Sequence, residues 1–216
     1  MIYILGAGGF AREVLNIYTD SGKENEIVGF LEDNCQRKGE LLNGKPINDT
    51  AILKELDKDN IKLVCGIGTP LRKGLIEYTK KLGYKYDLIV HPSVIKSRWV
   101  TFGEGCIICA GNIFTSQITM GDYTIINLDC TIGHDVGIGR YTTISPGVHI
   151  SGIVSIGDGC FIGTGAVIIE KVTIGKGSFI GAGAVVIEDI PENVLARGVP
   201  AKVIKKLTES DWKELI

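Results

Sequence analysis

The sequence predicts two folds in one chain: a small α/β domain over residues 1–90, and an all-β parallel β-helix after it. The β-helix is indicated by a large apolar residue at every sixth position from Phe102 to Val186, often followed by glycine. The α/β domain is indicated by an apolar strand, a glycine loop and a helical pattern at the start of the chain. The apolar column comprises Phe102, Ile108, Phe114, Met120, Ile126, Ile132, Ile138, Ile144, Ile150, Ile156, Ile162, Ile168, Ile174, Ile180 and Val186.

The six-residue period fits one short strand plus one corner. Three such units close a triangular coil of about 18 residues, so the repeat makes roughly five coils. An amphipathic helix cannot give this pattern, because a period of 3.6 turns successive sixth residues to different faces. Smaller residues two positions earlier, such as Val136, Val148 and Ala166, are expected to fill the same core.

Length and charge exclude several classes of protein. With 216 residues and a net charge of −2, the chain has no electrostatic case for binding nucleic acid or an anionic membrane. No apolar run reaches membrane-spanning length, and the first strand runs straight into a glycine loop rather than a secretory signal. We therefore expect a cytoplasmic protein without membrane insertion.

The six cysteines do not predict a metal site. Cys106, Cys130 and Cys160 fall on the inward column of small residues and are interpreted as core. Cys106 and Cys109 spell C-x-x-C, but no second pair follows at zinc spacing. We expect no metal.

The start of the chain predicts a Rossmann-like unit. Residues 1–5 form an apolar strand, Gly6-Ala7-Gly8-Gly9-Phe10-Ala11 follows, and apolar residues then recur at helical spacing. In this context a G-x-G-x-x-A match indicates either a nucleotide phosphate at the helix N-terminus or a tight turn. Glu32 and Asp33 end the second strand, where a carboxylate can hold a ribose or base edge, or simply lie in a solvated turn.

The rest of this domain is predicted to alternate helix and strand. Residues 50–56 look helical, residues 63–67 form a third strand, and residues 86–90 complete the sheet. Thr69-Pro70 resembles the start of a helix whose core side would carry Leu71, Leu75, Tyr78 and Leu82. About 90 residues make only half of a dinucleotide fold, which favours a nucleotide-linked ligand over NAD.

The candidate chemistry lies at one corner of the β-helix. His134 follows the inward Ile132 by two residues, so it is predicted to point outward, with Asp135 directly after it. An imidazole beside a carboxylate suits a general base, although a solvated corner histidine is the alternative. Gly152 comes one coil later and should stack about 4.8 Å away. Its N–H could donate to an oxyanion, or Gly152 could be an ordinary turn glycine.

The remaining polar features are weaker. His149 is expected on a flat side and His91 at the domain junction, and neither histidine completes a zinc site with His134. The β-helix domain is predicted over residues 91–190 and a cap and tail over residues 191–216. The tail carries Arg197, Lys202, Lys205 and Lys206, cations that suit a phosphate-bearing cofactor or a solvated cap.

Several motifs together resemble one family. They are Gly6-Ala-Gly-Gly-Phe-Ala-Arg-Glu-Val14, Gly29-Phe-Leu-Glu-Asp-Asn34, His91-Pro-Ser93, Ile132-Gly-His-Asp135, Ile144-Ser-Pro-Gly147 and Gly198-Val-Pro-Ala-Lys202. The chain resembles the sialic-acid O-acetyltransferase and UDP-bacillosamine-type sugar N-acetyltransferase family of hexapeptide-repeat acyltransferases. The resemblance covers essentially the whole chain and implies a left-handed β-helix, a homotrimer and acetyl-CoA as co-substrate.

The resemblance also implies residue roles. His134 matches the family's base and Asp135 the acidic residue that raises its basicity. Gly152 matches the glycine whose amide meets the thioester oxygen. The other matched positions are Asn127 in the acceptor site, Thr164 and Ala182 against acetyl-CoA, Gly198, Pro200 and Lys202 in the tail along the cofactor, and Gly8, Gly9, Phe10, Glu32 and Asp33 in the nucleotide-sugar pocket.

Two positions depart from the family pattern. Phe10 stands where many relatives carry histidine, which affects the identity of the sugar nucleotide. Thr143 stands where a histidine is often found near the cofactor, which weakens one cofactor contact.

The sequence favours acetyl transfer to the amino group of a nucleotide-linked amino sugar. One alternative is O-acetylation of sialic acid or another sugar. A second is a non-catalytic, nucleotide-sugar-binding trimer scaffold.

Overall fold

The computed structural model describes residues 1–215. The chain divides into two compact units. The first unit comprises residues 1–68 and 72–92, and the second comprises residues 69–71 and 93–216. Residue 216 lies outside the described part.

The first unit is an α/β domain. Its elements are β1 (Ile2–Leu5), α1 (Gly9–Asp20), β2 (Ile27–Glu32), β3 (Leu41–Leu42), β4 (Lys45–Asp49), β5 (Lys62–Cys65), α2 (Lys73–Lys81), β6 (Lys85–Tyr86) and β7 (Ile89–Val90), with short 3-10 turns at Glu24–Glu26, Thr50–Lys54 and Pro70–Arg72. The sheet order is β3-β4-β2-β1-β5-β6, and all neighbours pair parallel except the β3–β4 hairpin. The parallel strands place the glycine loop and the end of β2 at the same sheet edge.

Three details of this unit differ from the sequence prediction. Residues 86–90 were expected to complete the sheet, but only β6 (Lys85–Tyr86) joins it and β7 does not. The β3–β4 hairpin was not expected, and β4 adds a parallel strand beside β2. The predicted core side of α2 is wrong: Leu71 and Tyr78 are exposed, while Ile76 and Thr79 are fully buried. The buried side of the helix is offset by one residue from the predicted side. It carries the polar residues Arg72 and Thr79, so apolar spacing alone did not identify it.

The second unit is a parallel β-helix with three faces. Face 1 contains β8 (Ile95–Lys96), β11 (Ile113–Phe114), β14 (Thr131–Ile132), β17 (His149–Ile150), β20 (Val167–Ile168) and β23 (Val185–Val186). Face 2 contains β9 (Val100–Phe102), β12 (Ile118–Met120), β15 (Gly137–Ile138), β18 (Ser155–Ile156) and β21 (Thr173–Ile174). Face 3 contains β10 (Ile107–Ile108), β13 (Ile125–Ile126), β16 (Thr143–Ile144), β19 (Phe161–Ile162), β22 (Phe179–Ile180) and β24 (Val194–Arg197), followed by the antiparallel β25 (Lys202–Lys206).

Each strand pairs with the strand one coil later, in unbroken register, as Ile126 does with Ile144 and Ile132 with Ile150. The predicted apolar column fills the interior, where every member from Ile108 to Val186 is buried. Cys106, Cys130 and Cys160 are also fully buried, as predicted. The coils begin before Phe102, since Ile95 already pairs with Ile113.

The corners form three edges, named here by the face that precedes them. Edge A follows face 1 and carries Ser116, His134, Gly152 and Glu170; edge B follows face 3 and carries Leu128, Pro146, Thr164 and Ala182; edge C follows face 2 and carries Asp122, Arg140, Asp158 and Lys176. Face 1 therefore lies between edge B and edge A. After the last coil, β25 and the short helix α3 (Glu209–Leu215) complete the chain, and Trp212 packs against Phe179 on face 3.

The close stacking of the corners allows us to predict how two glycine substitutions affect stability. A Cβ on Gly139 would lie 2.4 Å from the backbone nitrogen of Asp158, whereas a Cβ on Gly137, in the same coil, meets nothing within 4 Å. Gly139→Ala should lower the free energy of unfolding by about 1–3 kcal/mol through overpacking. Gly137→Ala should be neutral or slightly stabilising. Thermal and urea unfolding followed by circular dichroism test this, and equal stability of both variants would contradict it.

Candidate functional site

Edge A brings a histidine and a carboxylate together. His134 Nδ1 donates to Asp135 Oδ2 over 2.8 Å, and both side chains are more than half exposed. The backbone anchors both residues to neighbouring coils: Asp135 N–H donates to the Ser116 carbonyl at 3.0 Å, and the His134 carbonyl accepts from Ile153 N–H at 2.8 Å. With Nδ1 bound to the carboxylate, the Nε2 lone pair of the neutral ring is available as a base.

Gly152 lies directly against the imidazole. A Cβ built on Gly152 would be 2.6 Å from both Cε1 and Nε2 of His134, a distance that real Cβ atoms do not tolerate. The ring can take its position only because residue 152 lacks a side chain. The sequence predicted this stacking from the coil length, and the structure shows that it brings the Nε2 side of His134 to the Gly152 backbone.

The amide of Gly152 is available to a ligand. At two corners of edge C, the N–H donates to a carboxylate one coil later: Glu104 N–H to Asp122 Oδ1 at 2.8 Å, and Arg140 N–H to Asp158 Oδ1 at 2.7 Å. Corner N–H groups are thus outside the inter-coil ladder and can bind an external oxygen. Gly152 N–H has no acceptor within residues 1–215. An amide donor beside a base is the arrangement that acyl transfer requires.

Edge B is lined by small residues and exposed backbone. Thr164 and Ala182 are exposed at its corners, and neither of their N–H groups has an acceptor in the described chain. The next residues, Gly165 and Gly183, have φ of +69° and +65°, in the left-handed region that favours glycine. Free amide donors along a thin edge fit a long ligand with carbonyl groups, such as the pantetheine arm of a CoA thioester.

The other residues predicted at the acceptor and cofactor sites are more scattered. Asn127 lies at the start of edge B, where its Oδ1 accepts from Leu128 N–H at 2.8 Å, so it is not beside His134 in the same chain. Gly198 extends edge B, with its carbonyl accepting from Val185 N–H at 3.0 Å, and Pro200 is exposed. Lys202 forms an exposed ion pair with Glu188 at 3.3 Å.

Thr143 does not join these residues. It lies in β16 on face 3, and only 3% of its surface is exposed. Its side chain is therefore covered in this structure, whereas Thr164 and Ala182 are exposed.

The remaining histidines and the cysteines take part in other interactions. His149 Nδ1 lies 2.8 Å from Thr131 Oγ1 on face 1, and His91 Nε2 lies 3.0 Å from Asp20 Oδ2. Burial raises the pKa of the Cys130 and Cys160 thiols to about 11, which keeps them protonated at neutral pH. Residues 1–215 contain no group of histidine, cysteine, aspartate or glutamate side chains that could hold a metal ion.

The glycine loop of the first unit leaves a helix N-terminus open. Gly8 is the N-cap of α1 and supplies no side-chain cap, and the first turn carries no acidic residue. Gly8 and Gly9 are exposed, and the Phe10 ring lies near Gly68, whose hypothetical Cβ would be 3.6 Å from it. Uncapped N–H groups at a glycine turn suit a phosphate.

Glu32 and Asp33 have different surroundings at the end of β2. Glu32 is held by Arg37 through two bonds, Nη2 to Oε1 at 2.6 Å and Nε to Oε2 at 3.2 Å, and the guanidinium lowers the pKa of this carboxyl. Asp33 Oδ1 accepts from the Thr50 hydroxyl at 3.1 Å. Arg37 was not predicted, because it lies in an irregular loop with neither periodicity nor a motif.

A cavity of about 550 Å³ opens beside Asp33. It lies at the ends of β2 and β4, and its lining includes Asp33, Asn34, Asp49, Thr50, Leu75 and Tyr78. The exposure of Tyr78, which the sequence placed in the core, is explained by its position at this cavity.

No helix within residues 1–215 is long and apolar enough to cross a membrane.

Two families match parts of the chain. Residues 1–78 match the PglD N-terminal domain, and residues 153–188 match the bacterial transferase hexapeptide repeat. No curated protein matches the chain by sequence.

Several solved structures share the whole fold. A variant of perosamine N-acetyltransferase from Caulobacter crescentus, in complex with CoA and GDP-perosamine, is 32% identical, with 95% of this chain and 97% of that chain covered and a TM-score of 0.88. The acetyltransferase domain of PglB from Neisseria gonorrhoeae, in complex with acetyl coenzyme A, is 31% identical, with 94% and 98% covered and a TM-score of 0.87. WeeI from Acinetobacter baumannii is 29% identical, with 94% and 99% covered and a TM-score of 0.85.

These likenesses extend over both units and confirm the predicted fold class, a Rossmann-like domain followed by a left-handed β-helix. The chain therefore belongs to the hexapeptide-repeat acyltransferases that carry a PglD-type N-terminal domain.

Proposed function

We propose that this protein transfers an acetyl group from acetyl-CoA to the amino group of a nucleotide-linked amino sugar. The observation that carries the proposal is the contact between Gly152 and the Nε2 side of His134, with Asp135 holding Nδ1. It supplies a base and an adjacent amide donor in a chain that is 32% identical to an N-acetyltransferase bound to CoA and GDP-perosamine. A cytoplasmic location is part of the proposal.

His134 acts as the general base. Asp135 keeps the proton on Nδ1, so Nε2 can take a proton from the acceptor amine as that amine attacks the thioester carbonyl. The Gly152 N–H donates to the oxyanion that develops on the carbonyl oxygen. When the tetrahedral intermediate collapses, the new C–N amide bond is retained, the C–S bond breaks, and the CoA thiolate leaves and accepts a proton from the imidazolium. No covalent enzyme intermediate is formed.

Edge B binds acetyl-CoA. The Thr164 and Ala182 N–H groups would donate to carbonyls of the pantetheine arm, and residues 198–202 would lie along the nucleotide end of the cofactor. Lys202 would have to exchange Glu188 for a phosphate, which is feasible because the pair is exposed and weak. Buried Thr143 contributes little to this site.

The active unit is a homotrimer. Within one chain, the base on edge A and the cofactor residues on edge B are separated by face 1. Three copies around a common axis would bring edge A of one copy towards edge B of the next, so that Asn127 and His134 from different copies could share one acceptor site. The exposed apolar residues Ile95 and Ile113 on face 1 support an interface near this face.

The first unit binds the nucleotide of the acceptor. Gly8, Gly9 and the open N-terminus of α1 would hold the phosphates, Glu32 a ribose, and Asp33 with the adjoining cavity the base. Phe10, in place of a histidine found in relatives, adds an apolar ring beside Gly68 rather than a polar contact.

Replacing the base tests the mechanism. His134→Ala should lower kcat by about 10²–10⁴-fold, while acetyl-CoA affinity stays within about twofold, because the imidazole acts on the transition state. The control Lys176→Ala changes an exposed corner residue on edge C, away from edges A and B, and should retain most of the activity. Steady-state kinetics and calorimetric binding of acetyl-CoA give both readings. A His134→Ala enzyme with wild-type turnover would refute the assignment.

A methyl group at Gly152 should stop the reaction without unfolding the protein. Gly152→Ala places a Cβ against His134 and should displace the exposed ring, with a loss of at least about 100-fold in kcat. The neighbouring Ser151→Ala should leave activity nearly unchanged. Kinetics and thermal melts of both variants check this, and an active Gly152→Ala enzyme would show that the two corners do not form the catalytic centre.

Solution mass tests the assembly. Sedimentation equilibrium should give about 70 kDa, three times the 23.3 kDa of one chain. A monomer with full acetyltransferase activity would show that one chain contains the complete site.

A further inference from the structure

Arg37 links two parts of the proposed nucleotide site. Its Nη2 and Nε bind the Glu32 carboxylate at the end of β2, and the same Nη2 donates to the Ala7 carbonyl in the glycine loop at 3.2 Å. The guanidinium therefore lies between the loop that precedes α1 and the carboxylate that ends β2. The Arg37 side chain is 38% exposed, so a ligand can reach it.

One nitrogen of the Arg37 guanidinium, Nη1, is left without a hydrogen-bond acceptor in the described chain. Nε–H and both Nη2 hydrogens have acceptors, whereas Nη1 has none within residues 1–215. Glu32 takes the side formed by Nε and Nη2, so the Ala7 carbonyl takes the Nη2 hydrogen on the opposite side. Because the group is planar, one Nη1 N–H is parallel to that bond and points towards the glycine loop.

Charge balance gives a reason for a cation at this point. Glu32 and Asp33 are adjacent carboxylates beside the loop, and they would repel a diphosphate bound at the N-terminus of α1. Arg37 neutralises Glu32 and adds a positive group on the side of the loop. Arginine binds phosphate oxygens with strong, charge-assisted hydrogen bonds.

We propose that Arg37 is a diphosphate-binding residue, whose Nη1 contacts the phosphates of the nucleotide-linked sugar while its other nitrogens fix Glu32 and the glycine loop. The inference rests on the proposed function of this unit. Arg37 is a residue that no motif of the chain indicates. Loss of Arg37 is expected to weaken binding of a nucleoside diphosphate much more than binding of the nucleoside alone.

The test compares Arg37→Met with Lys38→Met. Both variants remove one positive charge, but Lys38 is exposed and makes no hydrogen bond to Glu32 or the loop. Dissociation constants would be measured by calorimetry for UDP, GDP and dTDP, and by competition for the matching nucleosides. The Michaelis constant for acetyl-CoA reports on the β-helix unit, and thermal melts report on folding.

Arg37→Met should weaken binding of the nucleoside diphosphate by about 10- to 100-fold, as expected for one or two charge-assisted hydrogen bonds, with at most a severalfold change for the nucleoside. Lys38→Met should change either constant less than about threefold. If Arg37→Met weakened binding of the diphosphate and of the nucleoside equally, Arg37 would only position Glu32, and the proposal would be overturned.

Two other outcomes separate this inference from the proposed function. If the wild type binds a nucleoside diphosphate and Arg37→Met binds it equally well, the Arg37 assignment is wrong and the proposed function stands. If the wild type binds acetyl-CoA but none of the three diphosphates, the nucleotide-linked acceptor is wrong, and the role of Arg37 fails with it.

Discussion

The structure depends on the stacking of one coil on the next in constant register. Strands of the β-helix donate to the following coil, as the N–H groups of Thr131 and His149 do to the carbonyls of Val148 and Ala166 on face 1. Because every coil has the same length, a residue at a corner always meets the corner residue of the following coil. Glycines such as Gly133 and Gly139 are required where these corners touch, since a Cβ there would collide with backbone atoms.

The candidate active centre follows from this constraint. His134 and Gly152 are one coil apart, so the stacking that stabilises the β-helix also holds the imidazole over a residue without a side chain. Asp135 adopts φ of +57° at the same corner, a conformation that aspartate tolerates better than most residues, and it thereby reaches Nδ1. The scaffold thus holds the imidazole, the Asp135 carboxylate and the Gly152 backbone together without a loop.

The two units supply different kinds of binding. The β-helix offers backbone amides along thin edges, which suits a flexible thioester. The α/β unit offers an open helix N-terminus, a carboxylate held by Arg37 and a cavity beside Asp33, which suits a charged nucleotide. Under the proposed function, the first unit would bind the nucleotide of the acceptor and the β-helix would carry out the acyl transfer.

The period of the sequence predicted most of the β-helix and one contact of the site. Every member of the predicted apolar column from Ile108 to Val186 is buried, and the stacking of His134 on Gly152 followed from the coil length alone. The same period also places Asn127 and His134 at successive corners of one coil, since they follow Ile126 and Ile132. The sequence could not show whether they meet in an assembly, because contacts between copies leave no periodic signal. Tyr78 was misplaced because the buried side of α2 carries the polar Thr79 while Tyr78 lines a cavity. Arg37 was missed because irregular loops leave no periodic signal.

The proposed reaction forms an amide on a nucleotide-linked amino sugar. The most direct measurement is release of CoA thiol from acetyl-CoA with UDP-, dTDP- and GDP-linked amino sugars and free sialic acid as acceptors, with mass spectrometry of the product. We expect turnover with a nucleotide-linked amino sugar, a product one acetyl group heavier, and an acetyl group that resists mild base as an amide does. Turnover with sialic acid alone, or a base-labile ester as product, would contradict it.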